Sequence, residues 1–276
     1  MKRHLRCIPY LSIYLALFVV TVPGVRADNF QLELKKVSEG SLMMSDPSQS
    51  DYLYRRSMGQ YFYFDPDGTR GYPVKVKFSE RVKKDRDTYE SKYPLKGVFQ
   101  IGKDDFIFAL DSDNLRSNGY NQLYFDLNHN GDLTDETVIK AKALPEGIRF
   151  GEGSSQREFP IQEVTLSLDG VQFAYSFFLS AYSQVQSSSE PPDFARANLN
   201  SAVYREGDVE LDGKKHRVIL LDFNSNGRFD DEFGVNNQGD RIYPVFGDKL
   251  FVDPDSRNRN AGSYLADRAD TYPVPS

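Results

Sequence analysis

Asp126, Asn128 and Asn130 alternate along the chain, Gly131 follows at once, and the acid pair Asp135-Glu136 comes four residues later. The pattern returns 96 positions downstream as Asp222, Asn224, Asn226, Gly227 and Asp231-Glu232. Oxygen-bearing side chains at alternate positions can point into one concavity. The glycine permits a sharp turn, and an acid further on can close the ring. A hard cation that takes roughly six to eight oxygens at short range suits such a set, and calcium fits it better than magnesium, which keeps more of its waters. Zinc and copper prefer softer donors. The expectation is two calcium ions, one per stretch.

In the first loop Asp126, Asn128 and Asn130 are the side-chain ligands, with the main-chain carbonyl of Asp132 at position 7 and Asp135 or Glu136 closing the ring. In the second, Asp222, Asn224 and Asn226 play these parts, with the carbonyl of Arg228 and one of Asp230, Asp231 and Glu232. Which acid closes each loop stays open at this point. Both stretches resemble EF-hand loops and the related dockerin and thrombospondin-type Asp-x-Asp-x-Asp-Gly loops, over about a dozen residues each. The resemblance implies calcium ligation and nothing about the rest of the chain. It is also incomplete. The EF-hand's bidentate Glu at position 12 is here Thr137 and Phe233. The flanks are β-like (Leu123-Tyr124-Phe125 and Val138 to Ala141 around the first loop, Val218 to Leu221 before the second), so these are strand-loop-strand sites and the helix-opening switch of an EF-hand does not carry over. Asp253-Pro254-Asp255 starts similarly, but Arg257 and Arg259 fill the later ligand positions, and a plain surface turn is expected there.

Other chemistry finds little footing. Of three histidines, His4 sits near the start, His129 holds position 4 of the first loop and should point away from an ion, and His216 opens an apolar run. There is no zinc-type histidine pairing, no Gly-x-Ser-x-Gly elbow and no phosphate-binding glycine loop. Acid-pair glycosidase chemistry needs only two carboxylates; among 40 acids it cannot be located. The run Tyr61-Phe62-Tyr63-Phe64 could face a sugar or a peptide, but its period of two fits a strand that turns one aromatic face into a core.

The elements that must position the loops read as strands. Phe30 to Val37 and Tyr72 to Phe78 alternate apolar and polar residues. Hairpins are expected at Gly97–Ile101 with Phe106–Leu110, at Val164–Leu168 with Val171–Leu179 through Asp169-Gly170, and at Asp208–Leu211 with His216–Leu221 through Asp212-Gly213, since Asp-Gly favours the type I′ turn. Val218-Ile219-Leu220-Leu221 is apolar on both faces and belongs centrally in a sheet. Helix is confined to short turns near Asp113–Ser117 and Ser263–Arg268. The polar stretches 151–155 and 184–193 read as connections. The two hairpin-plus-loop stretches look alike, but their hairpins and loops align at different offsets, so a tandem duplication is not established.

The chain opens with Lys2, Arg3 and Arg6, an apolar run from Ile8 to Val20, and a small-residue ending at Ala27. This predicts a signal peptide over 1–27, with an uncleaved anchor as the alternative. Cleavage removes the only cysteine, Cys7, and four basic residues, shifting the formal charge from −6 to about −10. Such acidity argues against nucleic acid as a partner. The sequence therefore predicts an all-β, mainly antiparallel protein in two β-rich halves, 28–150 and 158–254, each with one calcium loop (126–136 and 222–232), then an irregular tail, 255–276. The expected function is a secreted, periplasmic or cell-surface calcium-binding protein. Its calcium is structural, its role binding or scaffolding with a protein or carbohydrate partner, and it has no membrane association after cleavage. An exported hydrolase acting through unidentified carboxylates, with carbohydrate as the candidate substrate, is the alternative, and a clasp in which calcium touches a partner comes third.

Overall fold

The computed structural model describes residues 31–37, 59–63, 77–144, 146–147, 149–168, 170–187, 191–211, 213–231, 234–238, 241–245, 247–252 and 271–273. The predicted leader, Glu232, Phe233 and the run from Asp253 to Arg259 lie outside them, as does most of the predicted strand from Tyr72.

In chain order the elements are β1 (Glu33–Lys36), β2 (Gln60–Tyr63), α1 (Phe78–Arg81), β3 (Leu95–Ile101), β4 (Asp104–Asp111), α2 (Leu115–Asn118), β5 (Gln122–Phe125), β6 (Ile139–Lys140) and β7 (Ser154–Glu158). They continue with β8 (Gln162–Leu168), β9 (Val171–Gln184), β10 (Phe194–Ser201), β11 (Val203–Leu211), β12 (Lys214–Leu221), β13 (Gly234–Gln238), β14 (Arg241–Val245), β15 (Lys249–Val252) and β16 (Thr271–Pro273). The fold is all-β with antiparallel sheets, and its two helices are single turns. One sheet runs β3-β4-β5-β6, a second β2-β10-β9-β7 with β8 also on β9, and a third β1-β11-β12-β15-β16; β13 and β14 form a separate ribbon.

All three predicted hairpins form, as β3–β4, β8–β9 and β11–β12. β12 is paired on both edges, by β11 and β15, as its two-faced apolar character requires. The two halves interlock. β1 pairs with β11 and β2 with β10, so strands from before residue 64 complete sheets built from the second half. The stretch 151–155 is a turn that already enters β7 at Ser154, because Ser155 and Glu158 pair with β9. Within the tail, Thr271–Pro273 forms β16 on the edge beside β15, a place where proline's missing N–H costs no ladder bond. Phe78 belongs to α1 and not to a strand.

The main core lies between the first two sheets, with Phe99, Phe106, Phe108, Phe125, Tyr175 and Phe177 almost wholly buried. Phe99 stacks on Phe108 at 4.6 Å, and Phe62 meets Phe108 edge-on at 5.4 Å. Phe62 is thus the inward aromatic of β2, while Tyr61 on the other face stays exposed. A second cluster joins Phe178 of β9 to Tyr204, Ile219, Leu221 and Phe251. Ile107, Ala109, Tyr124 and Leu133 make a third, on the opposite side of β4, roofed by Phe78, Val82 and Tyr89. β4 is therefore buried on both faces.

Gly97 lies where the aromatic pair closes over β3. A Cβ there would sit 2.6 Å from Phe62 Cε2 and 2.7 Å from Phe108 Cε1. Gly97→Ala should cost about 1–3 kcal/mol through this overpacking. Gly151→Ala, where a Cβ meets nothing within 4 Å, should change stability by less than about 0.5 kcal/mol. Urea denaturation of the two variants checks this, and equal effects would contradict the packing described.

Candidate metal centre

Each loop leaves the end of a buried strand. Phe125 is fully buried and Asp126 is 1% exposed; Leu221 and Asp222 are each 1% exposed. The first acid of each loop thus begins inside the core, where its carboxylate must find partners. The chain supplies them by turning back on itself. Asn130 N donates to Asp126 Oδ1 (2.9 Å) and Gly131 N to Oδ2 (2.8 Å). In the second loop Asn226 N donates to Asp222 Oδ1 (3.0 Å) and Gly227 N to Oδ2 (2.8 Å). The turn is made with left-handed backbone at positions 4 and 6 of both loops: His129 (φ 56) and Gly131 (φ 81), Ser225 (φ 59) and Gly227 (φ 81). Position 6 takes glycine because that conformation penalises a Cβ.

The asparagines follow suit. Asn128 Oδ1 accepts Asn130 N and Asn130 Oδ1 accepts Asp132 N; Asn224 Oδ1 accepts Asn226 N and Asn226 Oδ1 accepts Arg228 N. Across the ring, the position-10 acid gathers both amides. Asp135 Oδ2 accepts Asn130 Nδ2 (2.8 Å) and Asn128 Nδ2 (3.4 Å). Asp231 Oδ2 accepts Asn226 Nδ2 (2.7 Å) and Asn224 Nδ2 (3.2 Å). Side chains at positions 1, 3, 5 and 10 are thus brought together in both loops, and the acid facing them is the one at position 10. Amide N–H groups supply the positive partner of that carboxylate; turned about, the same amides present oxygen.

The remaining predicted residues separate by what they touch. Asp132 turns its carboxylate to Thr134 N and Thr134 Oγ1 and lies 3.5 Å from Lys84 Nζ, which leaves position 7 its main-chain carbonyl. Asp230 is clamped by Arg228 through two bonds, 2.9 and 2.7 Å, on the exposed side and away from the ring. Glu136 Oε1 accepts the position-2 amide, Leu127 N, at 3.1 Å. His129 points away, as expected: its Nε2 donates to Asp105 O (3.2 Å) and its ring lies 4.8 Å from Phe106.

One residue escaped the sequence reading. In the second loop the position-2 amide, Phe223 N, donates to Asp248 Oδ1 (2.9 Å), while Asp231 N donates to Asp248 Oδ2 (3.0 Å). Asp248 is 1% exposed and takes the part that Glu136 takes in the first loop. It immediately precedes β15, and the register that pairs Leu221 with Lys249 sets it beside Asp222. Only that long-range pairing would have pointed to it.

The electrostatics divide the acids again. Asp132 and Asp230 have cations of their own. Among the described residues no lysine or arginine forms an ion pair with Asp126, Asp135, Glu136, Asp222, Asp231 or Asp248. In the metal-free protein, burial pushes the Asp222 carboxyl up to about 7, while bonds from Tyr175, Gly227 and Asn226 pull the other way. Burial, and then the Asp222 charge, push Asp248 up to about 8. Glu136 is raised by burial and by Asp126 and Asp135. No three histidine, cysteine or carboxylate side chains converge among the described residues. The donor set is a mixture of carboxylates, amide oxygens and a carbonyl, all hard, which fits calcium and not a softer metal.

No family model, curated protein or solved structure matches the chain. The fold defines it as an all-β protein of antiparallel sheets.

Asp222 and Asp248 set a pH response. Both carboxyls are raised above their ordinary value of 3.8, so the stability their protonated forms contribute is complete below that value and is lost as pH rises through about 7 to 8. In chelator, the urea midpoint should be lower at pH 8 than at pH 5, and Asp248→Asn should flatten that difference. An unchanged slope in the variant would show that Asp248 is not a source of it.

Proposed function

We propose that this is an exported calcium-binding β-protein whose two loops each hold one structural calcium ion, with a binding or scaffolding role outside the cytoplasm. The observation that carries the reading is the sorting of the acids. Among the described residues, carboxylates that face into the loops have no cationic side chain, whereas their neighbours Asp132 and Asp230, which face out, each have one. A buried carboxylate without a counter-charge is costly, and a bound cation removes that cost. The same arrangement at two places in one chain supports a shared purpose.

In the first loop Asp126, Asn128, Asn130, the Asp132 carbonyl and Asp135 would hold the ion, with Glu136 alongside. In the second, Asp222, Asn224, Asn226, the Arg228 carbonyl and Asp231 would do so, with Asp248 alongside. The ion would neutralise like charges and lock the connections β5–β6 and β12–β13. Strand flanks support a structural role over a switch, since both edges of β12 and β5 are already committed to ladders.

Export rests on the order of basic, apolar and small residues in 1–27. Among the described residues no helix is long and apolar enough to cross a membrane. Intact-mass analysis of the exported protein should show a chain beginning at Asp28; a retained Met1 with membrane association would establish an anchor instead.

Calcium titration tests the central claim. At about 1 mM calcium and a dissociation constant near 0.1 mM, each site would add about 1.4 kcal/mol by mass action. Two sites would add about 2.8 kcal/mol and raise the melting temperature by several degrees. Asp126→Ala and Asp222→Ala should each remove at least half of that gain, and the double variant should melt alike in calcium and in chelator. A wild-type melting temperature indifferent to calcium, with no heat of binding, would reduce both loops to polar turns.

A further inference from the structure

The two loops are far apart in sequence but grip the same piece of chain. The tip of the β3–β4 hairpin, Gln100 to Asp105, lies between them. On the second-loop side, Gly102 N donates to Asn226 O at 2.5 Å. The Gln60 amide donates from its Nε2 to both Gln100 O (2.6 Å) and Ser225 O (2.7 Å), tying the hairpin and the loop to β2. Gly227 is pressed onto the tip: a Cβ there would come 3.0 Å from Gly102 N, 3.0 Å from Ile101 Cγ2 and 2.7 Å from Leu166 Cδ1. On the first-loop side, His129 Nε2 donates to Asp105 O and its ring packs on Phe106. Asp126 N donates to Ile107 O on the same strand at 3.1 Å. Arg81 Nε fastens Asp105 Oδ2 at 2.7 Å, and Lys83 holds the first loop through Asn130 O at 2.9 Å and Gly131 O at 2.8 Å.

The contacts fall on functional positions. Positions 5 and 6 of the second loop touch the tip and position 4 reaches it through Gln60, while position 4 of the first loop touches it at Asp105 and position 1 bonds the strand just beyond it. Positions 4 to 6 are the left-handed turn that aims the ligand oxygens. An ion that orders one turn therefore also orders the hairpin tip, and the tip presents an already ordered surface to the other turn.

We infer that the two calcium sites are positively coupled through this hairpin, so that filling either loop strengthens binding at the other. The inference rests on the calcium reading above and extends it to regulation of the same sites. Ordering paid for by the first ion is not paid again by the second. Linkage makes the effect reciprocal: whatever factor the first loop confers on the second, the second confers on the first. Binding would then be steeper than for two separate sites, and a protein leaving a calcium-poor compartment would load both loops over a narrow range of concentration.

The test is calorimetric titration of the full chain with calcium alone. Asp126→Asn leaves only the second loop competent, and Asp222→Asn only the first. The wild-type overall binding constant should exceed the product of the two single-site constants by roughly 5-fold or more. Gln60→Ala, which removes the Gln60 bridge between hairpin and second loop without touching a ligand and leaves the Gly102–Asn226 bond in place, should lower that ratio. Far-ultraviolet circular dichroism establishes that each variant folds, and Asp135→Asn replaces Asp126→Asn if the latter does not. A ratio of one in the wild-type background would show independent sites and overturn the coupling while leaving calcium binding intact. A ratio unchanged by Gln60→Ala would show that loosening the hairpin's hold on the second loop does not touch the coupling, which also overturns the proposal. No calcium binding by the wild type would remove the calcium reading and the coupling together.

Discussion

Buried carboxylates without counter-ions are the constraint around which the loops are arranged. Asp126 and Asp222 are each 1% exposed and stand at the ends of strands that fill the cores. Desolvating a charge is expensive, by several kcal/mol per ion even after relaxation. The chain answers with directed N–H groups: two backbone amides per carboxylate, and for Asp222 the Tyr175 hydroxyl as well, at 2.6 Å. These bonds orient the carboxylates but supply no positive charge. Asp248 deepens the problem, since it is buried beside Asp222 and its own bonds are again only to backbone N–H groups. Burial raises the Asp222 and Asp248 carboxyls to about 7 and about 8, toward the neutral range.

The fold delivers that constraint to the same place twice by different routes. In the first loop the chain closes its own ring, with Glu136 reaching back to Leu127 N. In the second the equivalent acid comes from the neighbouring strand, because β15 lies in register on β12 and ends its pairing one residue short of Asp248. The first arrangement is local and costs only a short loop closure. The second makes the arrangement depend on the long-range pairing of β15 with β12. This difference also accounts for the failure of the two hairpin-and-loop stretches to align at one offset. The second half runs directly from β12 into its loop, whereas the first inserts α2 and β5 between its hairpin and its loop.

What was legible in the sequence was local. Period-two alternation and Asp-Gly or Gly-Lys turns placed three hairpins, and the two-faced apolar run from Val218 to Leu221 placed β12 at the centre of its sheet. The loops were legible because their spacing is itself the geometry: alternation aims positions 1, 3 and 5, and glycine permits position 6. What was not legible depended on partners distant in the chain. Nothing local to Glu33–Lys36 or Gln60–Tyr63 says that they complete sheets made by residues beyond 150. Asp248, flanked by Gly247 and Lys249, reads as an ordinary turn acid. Phe78 ends a run whose alternation reads as strand, yet it opens α1 and packs its ring on the cluster of Ile107, Ala109, Tyr124 and Leu133. The choice between the position-10 and position-11 acids was likewise invisible to spacing. It is settled by whether the carboxylate meets the asparagine amides, as Asp135 does, or the position-2 N–H, as Glu136 does.

An all-β chain of this size with a single cysteine, Cys7, has no disulfide of its own to cross-link it. Its sheets rest on contacts distant in sequence, and loops that join strands at the sheet edges are the first places to open. A site built into such a loop acts where opening begins. Because positions 4 to 6 of the second loop and position 4 of the first both bear on Gln100 to Asp105, an ion held as proposed at either site would also restrain the hairpin whose aromatic residues, Phe99, Phe106 and Phe108, sit in the main core. The surface loops and the core are thus joined through one turn, Gly102-Lys103. Gly102, with φ +66, takes the left-handed conformation that lets its N–H face Asn226 O. Any side chain at that position strains the turn, and the strain falls on the contact that links hairpin to loop.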